Sequence, residues 1–301
     1  MAQESALAES LDLDVAPKTG GVVSSILSFA RKKPLGAIGG VVILFLVFTA
    51  LFPSVFTSQD PLAFSGLERL KAPSADHLLG TDQFGRDQLS RLVHGARTSV
   101  SVSFGAITIS VLLATLIGTV SGYFGGWVDA VVQRFVDAAI AFPNLIVLIT
   151  LVAVLGAGLY QIVLALGIVS CFGTSRIVRS AVIGTMANPY IEAARVLGAH
   201  PVRIMVRHIL PNVAPVVIIS ATVSMGGLVL AESGLSFLGF GVPPPTPSWG
   251  SMLSVDGRAY MERAPWLAIV PGIAIGSIVF AFNMLGDALR DTLDPRLRGT
   301  R

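Results

Sequence analysis

The 301-residue sequence is poor in charge: Asp, Glu, Lys and Arg make up 13% of it, against about 25% in a soluble globular chain. With 53% hydrophobic residues and a mean hydropathy of +0.75, that shortage argues against a water-soluble domain. It also excludes a disordered chain, which needs low hydrophobicity and high net charge. There is one cysteine, Cys171, so neither an intrachain disulfide nor a cysteine metal cluster can form. The net charge of +3 is too small to suggest nucleic acid as a partner. No G-x-x-x-x-G-K-[ST] occurs; only Lys18 is followed by Ser or Thr, and Pro17 precedes it, so this chain has no P-loop for ATP. The four histidines, His77, His94, His200 and His208, are scattered without an H-E-x-x-H, which argues against a metal site.

The charges that are present leave long gaps. Lys33–Asp60, Arg97–Asp129, Arg207–Glu232 and Arg263–Asp287 each bracket one stretch long enough to cross a bilayer, and Asp137–Arg176 brackets two. The last divides at Gly156-Ala157-Gly158. The expected fold is therefore an all-α membrane protein with six transmembrane helices, at 35–56, 99–121, 133–155, 159–178, 213–234 and 265–286. The runs are continuously apolar, without the alternation of a barrel wall. Residues 1–34 read as a tail on the cytoplasmic side, disordered at first. It carries Glu4, Glu9, Asp12 and Asp14 with no apolar core, unlike a signal peptide. Its end, Ser24 to Lys33, fits either a short interfacial helix or a solvated linker.

Thirteen Lys and Arg fall on the side of the termini and seven on the other, so the positive-inside rule puts both termini in the cytoplasm. The larger outer loops are then 57–98 and 235–264, and the inner ones 122–132 and 179–212. Intramembrane charges are functional candidates by default. Glu232 stands at the outer end of the fifth span, and Arg134 and Asp137 are spaced to pair. No acid lies in mid-span, which disfavours the alternative of an ion-coupled secondary transporter. Asp82 and Asp87 flank Arg86 outside; an ion pair fixing the loop is a simpler reading than a catalytic carboxylate pair.

In the 179–212 loop, Asn188 and Pro189 open a helix, Gly198 is placed to end it, Pro201 opens a second, and Pro211 should stop or kink that one. Tyr190, Ile191, Ala194 and Leu197 form an apolar stripe in search of a partner. In the outer loop 235–264, Pro243–Pro247 should run as extended polyproline, Trp249 to Glu262 as a short helix, and Trp249 and Trp266 should mark the outer interface.

Glu192-Ala193-Ala194, Gly198, Leu210 and Pro211 resemble the signature loop of ABC-importer permeases. His208 stands at its Ile position, with Ile209 one later, a spelling similar to that of the dipeptide/oligopeptide/nickel branch. Gly80-Thr81-Asp82, Gly85-Arg86-Asp87 and Ser90-Arg91, then Leu235–Gly241, Pro243–Leu253 and Asn283–Asp291, resemble the C-type permease subunit of that branch. The resemblance covers residues 35–298 as one permease domain of the type I importer fold. It implies a non-catalytic subunit in the plasma (inner) membrane that forms half of a pore for peptides or a related solute. It also implies a homologous second permease, two ATP-binding subunits (or a fused one) that hold ATP and Mg, and an extracytoplasmic solute-binding protein. The loop with Glu192, Ala193, Ala194, Gly198, Leu210 and Pro211 would be the ATPase-coupling site. No substrate-binding residue follows from it.

The orientation is open to thiol labelling. A cysteine at Ala75 should react from outside the cell and one at Glu192 only from within; the opposite pattern would invert the topology.

Overall fold

The computed structural model describes residues 22–293. The tail expected to be disordered and the C-terminal Arg296, Arg298 and Arg301 lie outside the described residues, as do Asp294 and Pro295. Among the described residues the regular structure is helical, with one isolated antiparallel bridge between Thr81 and Asp87. The helices are α1 (Val22–Lys32), α2 (Pro34–Leu51), α3 (Pro53–Phe56), α4 (Gln88–Phe124), α5 (Gly126–Ala141) and α6 (Asn144–Leu155). They continue with α7 (Leu159–Met186), α8 (Pro189–Val196), α9 (Pro201–Ile204), α10 (Leu210–Phe237), α11 (Trp249–Ser251) and α12 (Trp266–Leu293). The stretch left open between helix and linker is thus the helix α1, with Arg31 and Lys32 in its last turn.

Among the described residues five helical segments are long and apolar enough to cross a bilayer: α2, α4, α7, the continuous run Pro201–Phe237, and α12. The third expected span, 133–155, is not one straight helix. It is the pair α5 and α6, bent by 91°. Pro143 causes the break, because it has no N–H to donate and drives Phe142 out of the helical region, to φ −86° and ψ 143°.

The pair nevertheless returns the chain across the bundle. A Cβ added at Gly105 would lie 2.9 Å from Val163, and one at Gly122 would lie 2.9 Å from Val182. Contacts therefore advance in the same direction on both helices, and α4 and α7 run parallel. From Gly105 to Gly122 the chain rises about 26 Å at 1.5 Å per residue, close to a hydrocarbon thickness. The connection between α4 and α7 must cover that distance backwards, which makes the broken pair the sixth crossing.

Helix ends differ most from expectation. α4 starts at Gln88, not 99, and α7 ends at Met186, not 178. Charge-free runs mark the part of a helix in hydrocarbon, whereas helices continue into water when capped. Asp87 does this for α4 by accepting from Ser90 N at 2.7 Å. The outer loop 57–98 thus shortens to 57–87. The inner loop 122–132 reduces to a turn at Gly125, and the 179–212 loop to 187–200 followed by helix.

Small residues let the helices approach closely, as lipid-embedded packing requires. A Cβ on Gly39 would lie 2.6 Å from Ala281 O, which brings α2 against α12, and Lys33 Nζ joins Asp291 at 2.5 Å. Asp137 pairs with Arg176 of α7 and not with Arg134, which is exposed. Asp129 pairs with Arg179, so two ion pairs hold α5 to α7. These interhelical contacts replace the i, i+3 pairing that spacing suggested. One apolar cluster runs through the middle and outer bundle, including Val102, Ile162, Leu166, Leu228, Leu235 and Ile278. A second, at the opposite end, which is termed inner after the orientation expected from the charges, holds Val178, Val182, Ile191, Ile204, Ile209 and Val213.

Gly118 tests the α4–α7 contact, since a Cβ there would lie 2.7 Å from Ser175 O and 2.8 Å from Val178 Cβ. Gly118→Leu should destabilise the purified chain by about 1–3 kcal/mol, read as a lower thermal midpoint in detergent. Gly173→Leu, with open space at its Cβ, should leave the midpoint near that of the parent.

Candidate functional site

The inner surface is built from the end of α7 onwards. Asn188 takes the extended N-cap conformation, but its side chain makes no cap bond to α8 and donates instead to Thr185 O at 2.8 Å. Pro189 then opens α8 with its φ already suited to the helix. The helix ends in a Schellman turn: Gly198 N donates to Arg195 O at 2.9 Å and Ala199 N to Ala194 O at 3.0 Å. Gly198 has φ +76°, the left-handed conformation that glycine adopts without a Cβ penalty.

The expected apolar stripe divides. Ile191 is buried in the inner cluster and Ala194 packs against it, whereas Tyr190 is 44% and Leu197 87% exposed. The division arises because α8 lies flat on the bundle. Ile191 and Ala194 turn inward, and Leu197, past the helix end as its C-cap, projects away. Val196, 83% exposed, joins Leu197 on the open side; the stripe had not included it. Glu192, Ala193 and Gly198 share that exposed side, while Ala194 and Leu210 are half-buried in the inner cluster. Pro211 is exposed in the first turn of α10, away from the surface of α8. The structure therefore divides the six signature residues into an exposed set on α8 and a supporting set around α10.

Pro211 neither stops nor breaks the second helix. Met205–Ile209 form a π turn, in which Leu210 N reaches back to Met205 O, and the helix runs on from Pro201 to Phe237. The wider turn accommodates a proline that has no N–H to donate. Two aromatic contacts brace the hairpin. Tyr190 and His208 have ring centroids 6.4 Å apart, and the Arg195 guanidinium sits 5.3 Å from the Tyr123 ring centre.

The opposite face is organised by buried carboxylates. Asp82 accepts from Phe84 N at 2.8 Å, Arg86 N at 2.9 Å and Arg86 Nε at 2.6 Å, with Arg91 Nε at 3.3 Å. Asp87 caps α4 and meets His77 Nδ1 at 2.9 Å, while His77 Nε2 lies 3.4 Å from Glu68. The Lys71 ammonium beside Glu68 holds its carboxyl below the usual range. Asp82 and Asp87 thus fix the loop, and neither is disposed for catalysis.

Two expectations for residues 235–264 are overturned. The proline run makes a turn at Pro244-Pro245, so it is not extended polyproline. Trp249 is no interface marker: it is buried, its Nε1 donating to Leu92 O at 3.0 Å and its backbone N to Ser99 Oγ at 3.3 Å. The indole N–H finds a carbonyl inside the bundle, which removes the need for water at that end. Trp266 is half-buried and donates to Thr81 O at 3.3 Å. The helix expected from Trp249 is α11, continued by a π turn over Met252–Gly257. A cleft of about 480 Å³ opens between Phe84, Arg86 and Arg91 on one side and Pro243–Thr246, Ser251 and Ser254 on the other.

The family model for binding-protein-dependent transport system inner membrane components matches residues 114–299. A dipeptide transport system permease protein of Alkalihalophilus pseudofirmus is 40% identical over 89% of this chain and 88% of its own. A di/tripeptide transport system permease protein of Pseudomonas aeruginosa is 40% identical over 90% of this chain and 91% of its own. A glutathione transport system permease protein of Pectobacterium atrosepticum is 35% identical over 89% of both chains. Among solved structures, a methionine ABC transporter in an inward-facing conformation matches with a TM-score of 0.55 at 19% identity. It covers 67% of this chain and 96% of that chain, a likeness of fold.

Proposed function

From the premise that the chain belongs to the family of binding-protein-dependent transport system inner membrane components, we propose that it is the permease half of an ATP-driven importer whose cargo is a short peptide. As a permease of the ABC-importer family the chain is not itself an enzyme. The cargo reading rests on its relatives, which are named for dipeptides, di/tripeptides and glutathione. These share short length, peptide linkage and free carboxylates.

In this reading α8 is the coupling helix and lies in the cytoplasm with both termini. The observation that carries it is the two-sided build of α8. Glu192, Ala193, Val196, Leu197 and Gly198 are exposed, while Ile191 is sunk among residues of α7, α9 and α10. An ATP-binding subunit would dock on the first set. The second would pass its displacement to α7 and α10 together, because close-packed side chains transmit motion. Ala194, Leu210 and Pro211 would act from behind, by holding the hairpin. ATP and Mg would reside in the partner subunits. A homologous second permease would complete the pore, and an extracytoplasmic binding protein would deliver the peptide to the face that carries residues 57–87 and 238–265.

Gly198 gives the test. Nothing in this chain lies within 4 Å of a Cβ added there, so within the chain substitution acts only through the backbone. A β-branched residue at that φ costs about 1–2 kcal/mol. Gly198→Val should reach the membrane and pair with the second permease. It should lose most peptide uptake and retain less ATPase on co-purification in mild detergent. Gly198→Asn, which tolerates the left-handed region, should recover part of both. Unimpaired uptake by Gly198→Val would remove the coupling role.

A further inference from the structure

Glu232 is fully buried near the outer end of α10, and the coupling path described above makes no use of it. Hydroxyls surround its carboxyl group. Ser99 Oγ of α4 donates to Oε2 at 3.0 Å, Ser236 Oγ to Oε1 at 2.8 Å, and Ser233 Oγ to Oε2 at 3.4 Å. Two of these hydroxyls are themselves acceptors from the outer segment. Trp249 N donates to Ser99 Oγ at 3.3 Å, and Ser248 Oγ to Ser236 Oγ at 3.4 Å. Two relays therefore start at the head of α11, on its N-cap Ser248 and its first residue Trp249, and end on one carboxyl group. Each hydroxyl accepts from the outer segment and donates on to the carboxyl group, and hydrogen bonds in such chains reinforce one another.

The rest of the outer helix is seated to match. A Cβ on Gly250 would lie 2.6 Å from Ser233 O, so the backbones of α11 and α10 nearly touch. The Trp249 indole is bonded to Leu92 O of α4. Ser248 and Ser251 form a capping box that fixes the helix start. From there the helix continues to Ser254, so Ser251 and Ser254 form one wall of the outer cleft.

We propose that Glu232 is a positioning residue of the transport cycle: through Ser99 and the Ser236–Ser248 pair it clamps the outer helix onto α4 and α10, so that the wall of the outer cleft moves with them. This rests on the reading of that face as the one the binding protein meets. The carboxyl group touches neither cargo nor nucleotide; it acts through the helix that it holds.

The whole importer, reconstituted in lipid nanodiscs with its peptide-loaded binding protein, tests the proposal by two readouts. Spin labels on Leu67→Cys, in the outer loop, and Ala259→Cys, beyond the π turn, report the distance between loop and outer helix. ATP hydrolysis with and without binding protein reports coupling. The parent should give one narrow distance. Glu232→Ala should broaden it and reduce the stimulated rate at least ten-fold, with unstimulated hydrolysis and subunit assembly kept within two-fold. Glu232→Gln, which keeps one acceptor, should fall about three-fold. Should Glu232→Ala fail to assemble, Ser99→Ala removes one relay alone and is expected to broaden the distance and lower stimulation several-fold. A narrow distance in the variant that assembles, or a broadened one with stimulation unchanged, overturns the proposal. The distance is read without binding protein as well. A parent that keeps its narrow distance but shows no stimulation would sink the outer-face reading and leave the clamp to be judged by the labels.

Discussion

Gly105, Gly118, Gly122 and Gly167 bring α4 and α7 so close that a Cβ added at any of them would meet the partner helix within 3 Å. Helices in lipid gain little from apolar burial alone, so such backbone approach and the dispersion it brings supply the association energy. Because these two helices run parallel, the chain must recross the bilayer between them. Every backbone group on the way must find a partner inside the protein. Pro143 breaks that crossing into α5 and α6, and the two ion pairs to Arg176 and Arg179 anchor the oblique inner half. The position of the inner hairpin follows directly, since α8 leaves from the end of α7 and folds back beneath it.

The two faces of the molecule are connected through one element. Residues 201–237 form a continuous helical run, about 55 Å long at 1.5 Å per residue. At its inner end Ile204, Ile209 and Val213 grip Ile191 of α8. At its outer end Ser233 and Ser236 meet the helix that walls the outer cleft. The π turn at Met205–Ile209 lies between the hairpin and the membrane part of this rod, where Pro211 requires a local change of winding. A wider turn keeps the helix continuous where a sharp break would have uncoupled the two ends.

Much of this is legible in the sequence, and what is not shares a cause. Charge-free runs located the hydrocarbon portion of each crossing, but Asp87, Arg176 and Arg179 are charges within or against helices, so counting charges misjudged the helix ends. Pro189 and Gly198 were readable because each acts through its own backbone. Ile191 and Leu197 were not separable, since both fit one helical stripe. Only the way α8 lies on the bundle distinguishes the buried one from the exposed one. Trp249 was misplaced for the same reason: tryptophan favours the interface on average, but Leu92 O supplies a partner for its N–H inside. Ser236 stands one helical turn from Glu232, but Ser99 and Ser248 carry no spacing signal, since they are far from each other in sequence and meet only in the fold.

The distribution of ionisable groups bears on how energy enters. Asp129 and Asp137 are paired to α7 at its inner portion, Asp82 and Asp87 are bound into the outer loop, and the acceptor sites of Glu232 are taken by hydroxyls. A transporter driven by an ion gradient needs an acid that faces the path and exchanges its partner, and each of these is engaged in holding one helix or loop to another. The inner hairpin has the opposite character. Its outer side presents Glu192, Val196 and Leu197 with no intramolecular cover, on a short helix whose other side is locked to three elements. In the proposed role a partner subunit docked there would pass its displacement on as a rigid motion, since the buried side is close-packed. The proposed coupling role thus places the moving contact on the exposed side of α8 and leaves the buried acids to hold the bundle together.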